Sequence, residues 1–397
     1  MKKNVLISII LLVIASNCDN IDREKTNIHW SDVSRFITGV DSLRVIQEAD
    51  EYLKISPVAI KESSCERSLG TIHDFYSEGD YWWPDTSLPE GPYIRKDGMS
   101  NPDNFKDHRI AMRNMSIWVA SLTAAFIITG KKDYAEHAVK HLKTWFVDKE
   151  TKMNPNMNYA QAIKGICPGR GVGLIDGIHL VEPARAVSIL KDYGGISEAD
   201  FRTIQKWYSE FLEWMTTHEY GIDERERKNN HGSAWVMQAA EYSRFTENEK
   251  IMQYCRDRFK NVLLPNQMGK DGDFPLELER TKPYGYSLFN IDILATVCHI
   301  LSIPDDNLWT YNLKDGRGMS LGMRYIYPYI IDKSIWPLEP DVMYWDEWPV
   351  RHPALLFSGI EYKNNEYLEL WKSLDPLPLS QEGLRNFPIR QPILWVN

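Results

Sequence analysis

Cysteine is scarce in this chain. Only five occur in 397 residues and none forms a CxxC pair, which excludes a disulfide-stapled scaffold and a zinc-ribbon or thioredoxin-like motif. Cys65, Cys167, Cys255 and Cys298 read as small packing residues, with one disulfide left open. Positive charge is also short. Forty-six Lys and Arg against 55 Asp and Glu leave a formal net charge of −9, which argues against nucleic acid as a partner. A polyanionic ligand would have to be drawn by a local basic cleft. No phosphate-binding glycine loop, Gly-Ser linker, low-complexity block or exact repeat is present, and strand-like alternation is weak. His137 and His141 stand at i,i+4 without the Glu of a zinc-protease motif, and read as a solvated helix face. Asp271 and Asp273 flank Gly272 but lack the remaining ligand spacing of a calcium loop. No metal and no cofactor is expected.

What is present begins with an export signal. Lys2 and Lys3 precede a mostly apolar run from Val5 to Ile14, too short to span a bilayer. Ala15-Ser16-Asn17-Cys18 then resembles a lipoprotein cleavage box, the alternative being an ordinary cleaved signal with an incidental Cys18. The expected organisation is a signal peptide over 1–17, a polar tether over 18–30 and one domain over 31–397. Such a protein is exported and attached to the periplasmic face or the cell surface only through a lipid on Cys18.

Helical periodicity dominates the rest. Asp133 and Glu136 form a capping pair ahead of Tyr134, Ala138, Leu142 and Trp145 on one face. Ser197 opens a second amphipathic run, and Thr246 with Glu249 a third. Further helices are expected near 32–55, 112–130, 178–193, 233–245, 287–301, 317–330 and 353–373. An all-α architecture follows: helical hairpins closing into an incomplete α/α toroid, with long aromatic-rich loops at 73–109, 151–177, 266–286 and 335–353.

Chemistry concentrates in two short segments, Lys228-Asn229-Asn230-His231-Gly232 and Glu279-Arg280-Thr281-Lys282-Pro283-Tyr284-Gly285-Tyr286. An amide from Asn230 and a bidentate grip from Arg280 suit neutralisation of a carboxylate. His231 can donate to that carboxylate or act as a base. Tyr286 can move a proton, with Tyr284 as a competitor for the role. A free phenol titrates near ~10. Arg280 and the following helix N-terminus are expected to lower that value. Together these groups suit removal of a proton beside a carboxylate, as in β-elimination of a uronic-acid polymer.

Several segments resemble the alginate-lyase superfamily of α/α-toroid polysaccharide lyases (polysaccharide lyase families 5 and 38), in its Bacteroidetes lipoprotein branch. They are Gly79-Asp80-Tyr81-Trp82-Trp83-Pro84-Asp85, Asn154-Pro155-Asn156 with Tyr159-Ala160-Gln161-Ala162, Gly169-Arg170-Gly171, Asn229-Asn230-His231-Gly232, Phe274 to Arg280 with Gly285-Tyr286-Ser287, and Glu347-Trp348-Pro349-Val350-Arg351. The resemblance implies Asn230, His231 and Arg280 around the substrate carboxylate and prefers Tyr286 over Tyr284 for proton transfer. It also implies cleavage of a 4-linked polyuronate (alginate, polymannuronate or glucuronan), leaving unsaturated ends. Trp82, Trp83, Tyr159, Gln161, Arg170, Tyr284, Tyr344, Trp345 and Trp348 are expected to line a sugar groove.

Two other functions fit parts of the pattern. A glycoside hydrolase on a related scaffold needs two placed carboxylates, for which Asp176, Asp273, Glu277 and Glu279 are available without clear pairing. A non-catalytic glycan-binding lipoprotein fits the lipid box and the aromatics.

Overall fold

The computed structural model describes residues 32–396. The signal over 1–17, Cys18 and the tether over 18–30 lie outside the described residues. The fold is an all-α toroid. Its first hairpins are α1 (Asp32–Tyr52), α2 (Asp107–Thr129), α3 (Lys132–Phe146), α4 (Val181–Asp192) and α5 (Glu198–Thr217). A short α6 (Glu219–Arg225) then leads to α7 (Asn230–Phe245) and α8 (Glu249–Arg258). One-turn helices α9 (Leu264–Gln267) and α10 (Pro275–Leu278) precede α11 (Pro283–Leu301). The chain closes with α12 (Met319–Ile331), α13 (Pro353–Glu361), α14 (Asn365–Ser373) and α15 (Gln381–Arg385).

Burial separates the helices into two kinds. α3 and α5 are amphipathic: Phe201, Ile204, Trp207, Tyr208, Phe211, Leu212 and Met215 face inward while the charged residues of α5 face water. α7 and α11 are buried almost all round; α11 is mostly apolar, as expected of a helix without a solvent face, whereas α7 also buries Gln238 and Glu241. They pack against each other, α7 also against α4 and α5, and α11 against α13. The buried apolar side chains from Ile37 to Trp395 form one continuous cluster.

Among the described residues, strands occur only in the loops. β1 (Tyr76–Glu78) pairs in parallel with β4 (Tyr159–Ala162), and β2 (Trp82–Trp83) pairs antiparallel with β3 (Ile94–Arg95). These ladders lash loops 73–109 and 151–177 over one end of the helices.

Several local expectations shift. Ser197 does cap α5, its hydroxyl accepting from the Asp200 N–H. Asp133 does not cap α3, which starts at Lys132 with no side-chain cap, and Asn248 rather than Thr246 caps α8. α11 begins at Pro283, four residues early, because proline at the first helical position loses no hydrogen bond. The expected run over 353–373 is two helices. His141 is not solvated: it is fully buried against Trp118 and His137, and burial pushes its imidazole down to about 4. All four cysteines beyond the signal are free thiols.

Candidate active site

Because α7 and α11 lie side by side, their first turns open on one cavity of about 620 Å³. Asn230, His231, Arg280 and Tyr286 all line it, joined by Trp82, Gln161 and Arg170. The cavity has two chemically different sides.

On the imidazole side, His231 and Asn230 are each held by a buried carboxylate. His231 Nδ1 lies 2.7 Å from Oε1 of Glu224, which is fully buried at the end of α6. A carboxylate accepts, so Nδ1 carries the proton and Nε2 is left as the nitrogen able to accept one. Glu277 of α10 takes both donors of Asn230: the backbone N–H at 2.7 Å and Nδ2 at 2.6 Å. The first of these is an orphan donor of the α7 N-terminus, so one carboxylate caps the helix and fixes the amide. Burial pushes the Glu277 carboxyl up and the Asn230 bonds pull it down, with burial the larger effect. Gly232 is required here because a Cβ would come within 2.1 Å of the Arg227 carbonyl oxygen.

On the phenol side, Tyr286 occupies the first turn of α11 with its hydroxyl 2.7 Å from that of Tyr81. The Arg280 guanidinium lies 4.5 Å from the Tyr286 ring centroid. Arg280 is itself held by Asp97, with Nε at 3.1 Å and one terminal nitrogen at 2.9 Å. Tyr286 is 8% exposed, and its burial pushes the phenol up to about 12, against the opposing pull of Arg280 and Tyr81. The expected lowering by Arg280 is therefore real in sign but loses to desolvation. At neutral pH the phenol carries its proton.

The floor comes from the strand loops and the C-terminus. Gln161 sits on β4 at φ 49, a region that non-glycine residues rarely occupy. Its carbonyl and side-chain oxygens each accept from Arg170 at 2.9 Å, and its Nε2 donates to Asp176 at 3.1 Å. Arg170 stacks over Trp82 at 5.8 Å. Gly79 makes that stack possible, since a Cβ there would come within 2.8 Å of both partners. Arg385 of α15 also lines the cavity and pairs with Asp80 at 2.5 Å, as does Arg109. These two cations outweigh burial and hold the Asp80 carboxyl below its usual range. The cavity wall carries Arg95, Arg170, Arg227, Lys228, Arg280 and Arg385 against only Asp223 and Glu279. A chain of net charge −9 thus presents a basic cleft.

The structure corrects part of the expected groove. Tyr284 is fully buried, donates to the Tyr329 carbonyl at 2.9 Å and packs against Trp336 and Trp345, so it is a core residue. Trp348 is buried against His352 and Phe387. Trp83 turns outward, with its indole on the Met99 carbonyl and Lys96. The Tyr159 ring fills the space left by Gly70. Trp345 packs on Tyr284 with Lys333 over its ring. Tyr344 lies over Lys282 and borders a neighbouring cavity. None of these six lines the main cavity. Of the hydrolase candidates, Asp176 is held by Ser77 and Gln161, Glu277 by Asn230, and Asp273 lies away from the cavity, leaving Glu279 alone on the wall.

Sequence reading missed Glu224, Tyr81, Asp97 and Arg385 as site residues. Glu224 had a signal: it lies seven residues before His231, across a short turn between helices. Tyr81 stands directly before the two tryptophans that drew the groove assignment. Asp97 and Arg385 carry no local signal.

The alginate lyase family model matches residues 60–336. The crystal structure of an alginate lyase from Bacteroides ovatus superposes with a TM-score of 0.77 at 29% identity, covering 92% of this chain and 94% of that one. Alginate lyase A1-III, as a histidine-to-alanine variant complexed with tetrasaccharide, gives 0.56 at 13% identity over 92% and 96%. Its tyrosine-to-phenylalanine variant, also with tetrasaccharide, gives 0.55 at 14% identity over 92% and 94%. These last two establish likeness of fold. No curated protein sequence matches.

Proposed function

The chain belongs to the alginate lyase family and is a polysaccharide lyase, and from that premise we propose that it cleaves a 4-linked polyuronate by β-elimination with His231 as base and Tyr286 as acid. The observation that carries this assignment is the pairing inside one cavity: an imidazole backed by Glu224 and a buried, protonated phenol backed by Tyr81.

The proton at C5 of a uronate is hard to remove because its neighbour is a carboxylate. In this mechanism Asn230 and Arg280, each bonded to a buried or half-buried acid, neutralise that carboxylate and let enolate charge spread onto its oxygens. His231 Nε2 takes the C5 proton. The Tyr286 hydroxyl protonates the departing O4 and is reprotonated from Tyr81 or solvent. The bond from C4 to the glycosidic oxygen breaks as the C4–C5 double bond forms. In mannuronate and glucuronate the C5 hydrogen and O4 lie on the same ring face (syn), which suits one group acting twice. In guluronate, the C5 epimer, they are anti, which calls for a base and an acid on opposite ring faces. Two separately supported groups, with the phenol starting in its acid form, favour the guluronate units of alginate. In this reading the protein is exported and held to a membrane by a lipid on Cys18.

The test is incubation with polymannuronate, polyguluronate and glucuronan, reading the ultraviolet absorbance of unsaturated ends. The reading expects absorbance on an anti substrate first. Absorbance only on polymannuronate or glucuronan, or saturated products on every polymer, contradicts it.

A further inference from the structure

A second cavity, of about 440 Å³, lies beyond Arg385, which is the side chain that both cavities share. Its wall is built on the start of α2: Lys106, Arg109 and Arg113 line it, with Tyr344 opposite. Arg109 is spent on Asp80, in a two-pronged pair at 2.5 and 2.8 Å. Arg113 is not spent. It is 2% exposed, and no carboxylate among the described residues lies within ion-pair distance of it. Its side-chain partner is the neutral Gln381 amide oxygen, and its Nε has no hydrogen-bond partner among the described residues. Lys106 is half-buried, and its ammonium donates to the Pro102 carbonyl at 3.4 Å. The carboxylates on this wall, Asp80 and Glu382, are already engaged by Arg109 and Arg385. A buried cation without a counter-charge is costly. Burial, together with Arg390, Arg109 and Arg385, pushes the Arg113 guanidinium down to about 9.

We propose that this cavity is an anion subsite in which Arg113 and Lys106 hold the carboxylate of a sugar-acid unit of the same polysaccharide, away from the unit being cleaved. This rests on the polyuronate reading. An acid sugar supplies the missing counter-charge, the volume falls in the range of small-molecule sites, and the shared Arg385 makes the two cavities neighbours along one wall.

The experiment is a ladder of defined oligouronates, from the shortest that is cleaved to long chains, run on the full protein and on Lys106→Glu and Arg113→Gln. Either substitution removes one charge-assisted hydrogen bond to the sugar acid, Lys106→Glu adding a repulsive charge as well, and should raise KM about tenfold or more on long chains. The penalty should shrink as the chain shortens, with little change in kcat. Lys106→Glu alters a half-buried side chain at the cavity rim, so it remains informative if Arg113→Gln does not fold. Binding to Tyr286→Phe by calorimetry repeats the ladder without turnover. If wild type makes no unsaturated ends, the lyase reading of the polymer has failed, while a length-dependent affinity loss still supports the subsite. A KM or affinity penalty independent of chain length overturns the proposal. So does competition at this cavity by monomeric glucuronate with no length effect, which would make it a site for a free small acid.

Discussion

The imidazole side and the phenol side of the cavity are stabilised by opposite means. On the first, Glu224 and Glu277 are buried acids that reach His231 and Asn230 from helices α6 and α10. They orient donors and fix which ring nitrogen is free. On the second, Tyr286 is kept neutral by burial and is met by groups far away in sequence: Tyr81, with Asp97 acting through Arg280. Carboxylates ready one side to accept a proton, and desolvation readies the other to give one. The difference teaches that one cavity can run acid and base chemistry side by side when a carboxylate touches the base directly while the acid is met by a neutral phenol and a cation already paired with Asp97.

The largest expected effect breaks the phenol side outright. Tyr286→Phe should lower kcat by roughly 10³-fold, since a positioned acid contributes about 10² to 10⁴, as read by the rate of absorbance gain. Near-normal turnover would remove Tyr286 from the mechanism. Glu224→Gln attacks the other side without changing its size. A glutamine amide can donate to Nδ1 and so favour the wrong tautomer. The expected loss is on the order of 10²-fold in kcat with KM nearly unchanged, in steady-state kinetics.

Asp97→Asn should cost less, about tenfold in kcat/KM, because Arg280 keeps its charge but loses its two-pronged support. The pH profile sharpens the contrast. A phenol raised to about 12 stays protonated through the alkaline range, so kcat/KM should not climb between pH ~8 and ~11. A steady rise there would mean that the phenolate, as base, is the working form. The same sign applies to stability. Because the folded phenol is raised above its unfolded value, its contribution is complete below pH ~10 and is lost as pH rises through about 12. The smallest effect belongs to Tyr284→Phe, which removes one core hydrogen bond to Tyr329. It should cost about 1 kcal/mol in denaturant unfolding while leaving activity within about twofold.

Legibility in the sequence followed the same divide. Helices with one apolar face, such as α3 and α5, announced themselves by period, and Ser197 marked its own cap. The first-turn placement of Asn230 and His231 was readable because polar residues at a helix mouth are a local signal. Burial was not. Tyr284 and Tyr286 differ by two positions on α11, and only packing decides that one points into the core and the other meets Tyr81. The expected drop in the Tyr286 phenol failed for the same reason: Arg280 is visible in the sequence, whereas the desolvation that outweighs it is not. Trp348 and Tyr159 read as groove aromatics by motif and proved to be packing residues. Asp97 and Arg385 arrive through loop and C-terminal topology that no local pattern encodes.

Hydrogen exchange at C5 separates base from acid most directly. Polyguluronate in excess is incubated in deuterated water with Tyr286→Phe and with His231→Ala, and deuterium at C5 is read by nuclear magnetic resonance. The account predicts that Tyr286→Phe, with its His231–Glu224 pair intact, introduces deuterium at C5 faster than it breaks chains, and that His231→Ala does neither. Exchange by His231→Ala and none by Tyr286→Phe would contradict it.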